Sequence, residues 1–255
     1  MLPEKYMHAL NKFLENWKTR SCVEGAFLTG SAVTAYFSAH SDIDVYIVLS
    51  SRARWRERGN MVLDGVLIEY FANPTTQIRK YFEEDFRKNR RTMARMLVMG
   101  KIIFDRHGVI ARLRKEAEKW MGRKFGKLSR ASLEAAKYGM WDELENLKDL
   151  YAQKALNFEL LYHKLLVQVL EWYAKFLRSE IPPISKLVKF FTDEEFRREY
   201  RYEEFPDKRF AEIFISCLRA GSREEKMSCA RKLVSYTLGK MHGFEINGWR
   251  LRSKV

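Results

Sequence analysis

Two aspartates, Asp42 and Asp44, stand at the head of an otherwise apolar run, DIDVYIVL (42–49). Its β-branched and aromatic residues predict a strand. Side chains alternate faces along a strand, so both carboxylates point the same way. Like charges at that spacing repel, the more so in a low-dielectric setting, and something must compensate them. A third acid, Glu69, lies inside a second apolar segment, VLIEYF (66–71), and a Gly30-Ser31 pair precedes Asp42 by ten intervening residues.

The elements that must position these groups follow from patterning. Tyr6, Leu10, Phe13, Leu14 and Trp17 fall on one face of an N-terminal amphipathic helix. Gly25–Thr29 reads as a short buried strand running into Gly30-Ser31, and 32–37 as a short helix before the DIDVYIVL strand. After a polar loop, SRARWRERG, the stretch NMVLDGVLIEYF carries Asp64-Gly65, a favoured two-residue hairpin turn. Pro74 opens a helix continued by Ile78, Tyr81, Phe82 and Phe86. Lys101–Phe104 is expected as an edge strand before the turn Asp105-Arg106-His107-Gly108. Beyond residue 109 the pattern is helical. Asp142–Arg178 is predicted as one long helix with Leu144, Leu147, Leu156, Leu160, Leu165 and Trp172 in its apolar stripe. The patterning reads as an α/β domain over 1–110 followed by an all-α domain over 111–255.

Gly-Ser, a short helix, then Asp-hydrophobic-Asp on the next strand with another acid on a neighbouring strand resembles the nucleotidyltransferase superfamily. That group includes DNA polymerase beta, and the likeness is strongest to its minimal and antibiotic-modifying (aminoglycoside-type) members. It is specific over 23–72 and implies an α+β class, with a small mixed sheet and flanking helices. It also implies a Mg²⁺-dependent nucleotidyltransferase that moves a nucleoside monophosphate from an NTP to an acceptor hydroxyl. Asp42, Asp44 and Glu69 would then be the catalytic metal ligands for two Mg²⁺ ions, with Mn²⁺ an alternative, and Gly30 and Ser31 would bind the NTP phosphates. The chemistry suits the residue types, since two hard cations neutralise a triphosphate and align attacker with leaving group. A serine hydroxyl and N–H at a helix start suit an anion. One departure is plain: Ala32-Val33-Thr34-Ala35 replaces the Ala-Arg-Gly-like run common after Gly-Ser. Some relatives take a general base from the helical domain. Glu134, Asp142, Glu143 and Glu145 lie there with no motif to select among them.

Charge offers a second reading. The chain of 255 residues has a net charge of +14. Residues 79–130 carry 17 Lys/Arg against 6 Asp/Glu, a local +11, leaving 30 against 27 elsewhere. This belt is either a solvated helix surface or a field for polyanions. It keeps open an alternative in which the protein is an NTP- or RNA-binding regulatory module with little or no catalysis. It also disfavours a polycationic acceptor such as an aminoglycoside. His40, near the acid pair, is a candidate phosphate contact, while the other histidines form no ligand set. No apolar run approaches the roughly 20 residues that span a bilayer, and the N-terminus lacks a signal-peptide pattern. Cys22, Cys217 and Cys229 have no metal-type spacing and read as reduced thiols, so a cytoplasmic protein is expected. The aromatic-rich helical domain is expected to serve as core or as a homodimer interface.

Overall fold

The structure is a computed structural model that describes residues 2–38 and 41–252. It is mixed α+β, as expected, and divides into two compact units: Met1–Arg123 with Glu195–Tyr202, and Lys124–Glu194 with Glu203–Val255.

The first unit is built on five strands: β1 (Val23–Thr29), β2 (Ile43–Leu49), β3 (Glu57–Leu63), β4 (Val66–Pro74) and β5 (Lys101–Asp105). Their order is β3-β4-β2-β1-β5. β2 and β4 are parallel, and the other neighbours are antiparallel. The Asp64-Gly65 turn joins β3 to β4 with both residues at positive φ (52° and 72°), the geometry a tight primed hairpin turn demands. β3 begins at Glu57, inside the segment expected to be loop, because its pairing to β4 continues as far as Ala72.

Alternation along the central strands separates two cores. Ile43, Val45, Ile47, Leu49 and Ile68 face α1 (Glu4–Lys18), which buries Leu10, Phe13, Leu14 and Trp17 against them. Tyr46 and Val48 face the other way and pack with α2 (Thr75–Arg87), α3 (Thr92–Met99) and α4 (Val109–Met121). Full burial of each such aliphatic side chain contributes about 1.5–3 kcal/mol, so a one-residue slip of β2 is strongly disfavoured. The division expected at 110/111 falls near the start of α4, which buries Ile110, Leu113 and Ala117 in this second core.

The basic belt has structural work inside this unit. Arg95 is buried and donates to the carbonyls of Tyr200 (3.1 Å) and Arg201 (3.2 Å), with its guanidinium 3.8 Å from the Tyr202 ring centroid. Arg114 donates to the carbonyls of Leu97 and Gly100 at the end of α3. Arg106 donates to those of Lys18, Arg20 and Val23. Arg79 pairs with Glu116 through two 2.8 Å hydrogen bonds that join α2 to α4.

The second unit is helical: α5 (Arg130–Ala152), α6 (Phe158–Phe176), α7 (Leu187–Thr192), α9 (Lys208–Arg219) and α10 (Arg223–Lys240), with the short α8 (Glu194–Glu199) beginning at its margin. The single long helix expected over 142–178 is therefore two helices. Lys154 sits at φ 51°, its N–H bonds to the Tyr151 carbonyl (3.1 Å), and the Ala155 N–H bonds to that of Leu150 (3.0 Å). That pair of bonds is a Schellman stop made without glycine. The break also turns Leu156 and Leu160 out of the expected stripe and into solvent. No described helix is long and apolar enough to cross a membrane.

Asp207 ties the bundle together. It caps α9 by accepting from Phe210 N (2.9 Å), and it also accepts from the hydroxyls of Tyr173 (2.5 Å) and Tyr236 (3.0 Å). Burial alone would raise its pKa, but these three donors outweigh it and hold the carboxyl below the usual aspartate range. A carboxylate with a depressed folded-state pKa stabilises above its unfolded value, and the contribution fades as pH falls through the folded one. Asp207→Ala should therefore cost about 1–3 kcal/mol in urea unfolding at pH 7, and the gap to wild type should narrow as the pH falls below about 4.

Candidate active site

Strand register brings the three acids together. Asp44 lies on the central strand β2, opposite Thr29 of β1 on one side and Glu69 of β4 on the other. Neighbouring strands run about 4.8 Å apart, so a registered pair on one face places its carboxylates side by side. Asp42 sits two residues before Asp44, and hence on the same face. One oxygen from each of Asp42, Asp44 and Glu69 lies within 4.8 Å of the other two, and all three residues are partly exposed. An all-carboxylate oxygen set fits a hard cation such as Mg²⁺, Mn²⁺ or Ca²⁺ and does not favour zinc.

Gly30 explains itself by contact. It ends β1 with φ 66°, and a Cβ built on it would fall 1.8 Å from Asp44 Oδ2. Glycine is needed there both for the left-handed backbone and for the close approach of the carboxylate. Ser31 follows in a single 3-10 turn, Gly30–Val33, closed by Thr34, whose N–H and hydroxyl both reach the Ser31 carbonyl at 3.0 Å. The short helix expected over 32–37 does not form, so no helix dipole is available to an anion. The Ser31 hydroxyl and the turn's N–H groups are what the loop can offer. The loop is braced from far along the chain. Ala35 N donates to Glu199 Oε2 (3.2 Å), and the Tyr36 ring packs on Phe196 (5.7 Å) and Tyr200 (5.9 Å).

Two groups at the site were not among those the sequence singled out. Arg58, on β3, donates to Glu69 Oε1 from Nη2 (2.5 Å) and Nε (3.2 Å), and its guanidinium lies 4.8 Å from the Phe71 ring. Tyr46 is two residues on from Asp44, stacked between Phe27 (5.1 Å) and Phe71 (6.0 Å). It is buried, and its hydroxyl makes no hydrogen bond of normal geometry. Burial, more than any neighbour, pushes that phenol's pKa up.

The remaining candidates separate cleanly. Asp105 accepts from Ala111 N (3.0 Å), and His107 meets Glu24 (2.8 Å) around a turn with Gly108 at φ 65°, as a turn reading implies. His40 lies outside the described residues. Glu134, Glu143 and Glu145 pair with Lys137, Lys164 and Lys148 of the helical unit, and Asp142 accepts from Asn146. Cys22, Cys217 and Cys229 are free thiols.

Gly30→Ala should destabilise the protein by about 1–3 kcal/mol, from strain at positive φ and displacement of Asp44. A double-mutant cycle with Asp44→Ala checks this, because the two changes should couple favourably by about 1 kcal/mol once the crowded carboxylate is gone.

No known protein family matches the chain, and no curated protein matches it. Among solved structures it is similar to a nucleotidyltransferase-like protein from Exiguobacterium sibiricum 255-15, with 10% identity and a TM-score of 0.47 over 91% of this chain and 74% of that one. At that similarity the geometry of the site itself, not the likeness, has to carry any functional reading.

Proposed function

We propose that the protein is a divalent-cation-dependent nucleotidyltransferase that transfers a nucleoside monophosphate from an NTP to an acceptor hydroxyl. The observation that carries this reading is the convergence of the Asp42, Asp44 and Glu69 carboxylates beside a glycine turn that only glycine fits. Asp42 and Asp44 would hold two Mg²⁺ or Mn²⁺ ions, with Glu69 completing the site on the side away from Gly30-Ser31. When bound, such cations supply neutralisation of the triphosphate and of the charge that develops on its leaving oxygen.

The chain's own groups divide the remaining work. Ser31 binds the phosphate tail through its hydroxyl, and Gly30 lets that tail approach the backbone under Asp44. Glu69 lies one strand further on, where the acceptor must arrive, and orients its hydroxyl. The acceptor oxygen forms a bond to the α-phosphorus, the bond from that phosphorus to the bridging oxygen breaks, and pyrophosphate departs. The hydroxyl proton leaves to a base or to solvent. In-line positioning of this kind, more than covalent chemistry by the protein, accounts for most of the acceleration in phosphoryl transfer.

One observation favours the alternative of a nucleotide-binding module without turnover. Arg58 already occupies Glu69 Oε1, so the third acid is partly neutralised. An exposed pair of this type contributes at most about 1 kcal/mol, which a bound dication can outcompete. Pyrophosphate release from each of the four NTPs with Mg²⁺ or Mn²⁺ and pooled hydroxyl acceptors separates the two readings. Turnover is expected, falling at least a hundredfold in both Asp42→Asn and Asp44→Asn while circular dichroism stays native. Tight NTP binding with no pyrophosphate under any condition would select the alternative.

A further inference from the structure

Two stretches of the first unit, FRKNRR (86–91) and KWMGR (119–123), hold six Lys/Arg and no acid. The fold brings them together where α2 ends at Arg87 and α4 ends at Met121. The Phe86 and Trp120 rings meet edge to face at 5.3 Å, and Arg91 donates to the Arg123 carbonyl (2.8 Å). Both helices belong to the layer that packs with Tyr46 and Val48, on the sheet face that Asp44 shares.

Arg123 is the best-organised cation of this corner. Its guanidinium lies 4.9 Å from the Phe86 ring centroid and 4.6 Å from that of Trp120. Two rings thus hold it, yet its side-chain N–H donors make no hydrogen bond among the described residues. An arginine fixed by stacking loses little freedom when it grips an anion, and its planar fork matches phosphate oxygens. Lys88 and Arg90 flank Asn89, which turns the chain at φ 54°, and Lys119 stands one turn back on α4. All three are exposed and enter no ion pair among the described residues. Of the acids one turn further back, Glu83 is paired with Arg87, Glu116 with Arg79 and Glu118 with Arg201. Helix dipoles favour cations at both C-termini, but they do not require an uncommitted guanidinium fixed on two rings.

We propose that this corner docks the phosphodiester backbone of a nucleic acid without reading its sequence. Arg123 grips one phosphate, and Lys88, Arg90 and Lys119 meet its neighbours along the strand. Contacts to phosphates position a nucleic acid but carry no sequence information. Several separate cations suit charges that repeat along a chain better than they suit one small anion. A membrane surface fits less well. Among the described residues, no exposed large apolar side chain lies on α2, α3 or α4 to enter the lipid.

The probe is a fluorescein-labelled oligouridylate, titrated by fluorescence anisotropy in EDTA so that the carboxylates hold no cation. A single strand releases about 0.7 counterion per phosphate contact, so four contacts predict a log–log salt slope of about −3. Arg123→Gln, and the double change Lys88→Gln with Arg90→Gln, should each flatten that slope by about 0.7 per charge removed. At ~0.1 M KCl this is about fivefold in affinity per charge. Arg123→Lys should recover only part of the loss, because it restores the charge without the fork. Lys88 and Arg90 lie in an exposed turn, so the double variant should keep the wild-type melting temperature. Arg231→Gln with Lys232→Gln removes as much charge from exposed positions of α10 and should bind like wild type. No binding of the oligouridylate, equal affinity in wild type and the double variant, or an equal loss in the α10 control overturns the docking surface. So does poly-glutamate, or a phosphatidylserine vesicle, that binds as tightly as the oligouridylate. Pyrophosphate release is a separate readout, so this surface and the nucleotidyltransferase reading can fail independently.

Discussion

Everything at this site depends on mutual repulsion among three carboxylates that the backbone does not allow to separate. Asp44 and Glu69 are fixed in register on parallel neighbouring strands, and Asp42 follows on the same face. At separations up to 4.8 Å, two ionised groups repel by about 1 kcal/mol in water-like surroundings and about 3 kcal/mol at an effective dielectric of 20. Arg58 offsets part of that at Glu69. A fold does not hold such a cluster for stability, so the arrangement makes sense as a receptor for positive charge that arrives with a ligand.

The scaffold is arranged to keep that cluster rigid. β2 is the central strand, and its odd and even residues anchor separate cores, so it cannot slide without exposing one set and burying the other. Gly30 fits against Asp44 closely enough that any side chain there would strain the turn and displace the carboxylate. The loop after it is held by Glu195–Tyr202, a segment that rejoins the first unit after Lys124–Glu194 of the helical unit. Arg95 fixes the same segment from α3 through backbone carbonyls. The Gly30-Ser31 loop thus gains order from tertiary contacts rather than from its own short turn.

Much of the site was legible in the sequence because it is local. Gly-Ser, Asp-x-Asp and a strand glutamate depend on alternation and on one tight turn, and Asp64-Gly65 announces that turn by composition. What was not legible is what depends on distance or on unusual backbone. Lys154 ends α5 in a left-handed conformation with no glycine to mark it, so Asp142–Arg178 read as one helix. Arg58 sat in a run rich in arginine, and nothing in its neighbours revealed that β3 starts at Glu57 and aims it at Glu69. The belt of positive charge read as a field, yet several of its arginines are spent on helix-end and loop carbonyls of the first unit. Composition counts charges but does not show where the guanidiniums point.

The account stands or falls on cation binding by the three acids together. Calorimetric or electron-paramagnetic titration of Mn²⁺, with a non-hydrolysable NTP analogue present, tests this most directly. The account predicts saturable Mn²⁺ binding that strengthens with nucleotide and is lost on neutralising Asp42, Asp44 or Glu69 singly. Mn²⁺ binding that ignores all three substitutions, or no binding at millimolar metal with nucleotide present, would contradict it.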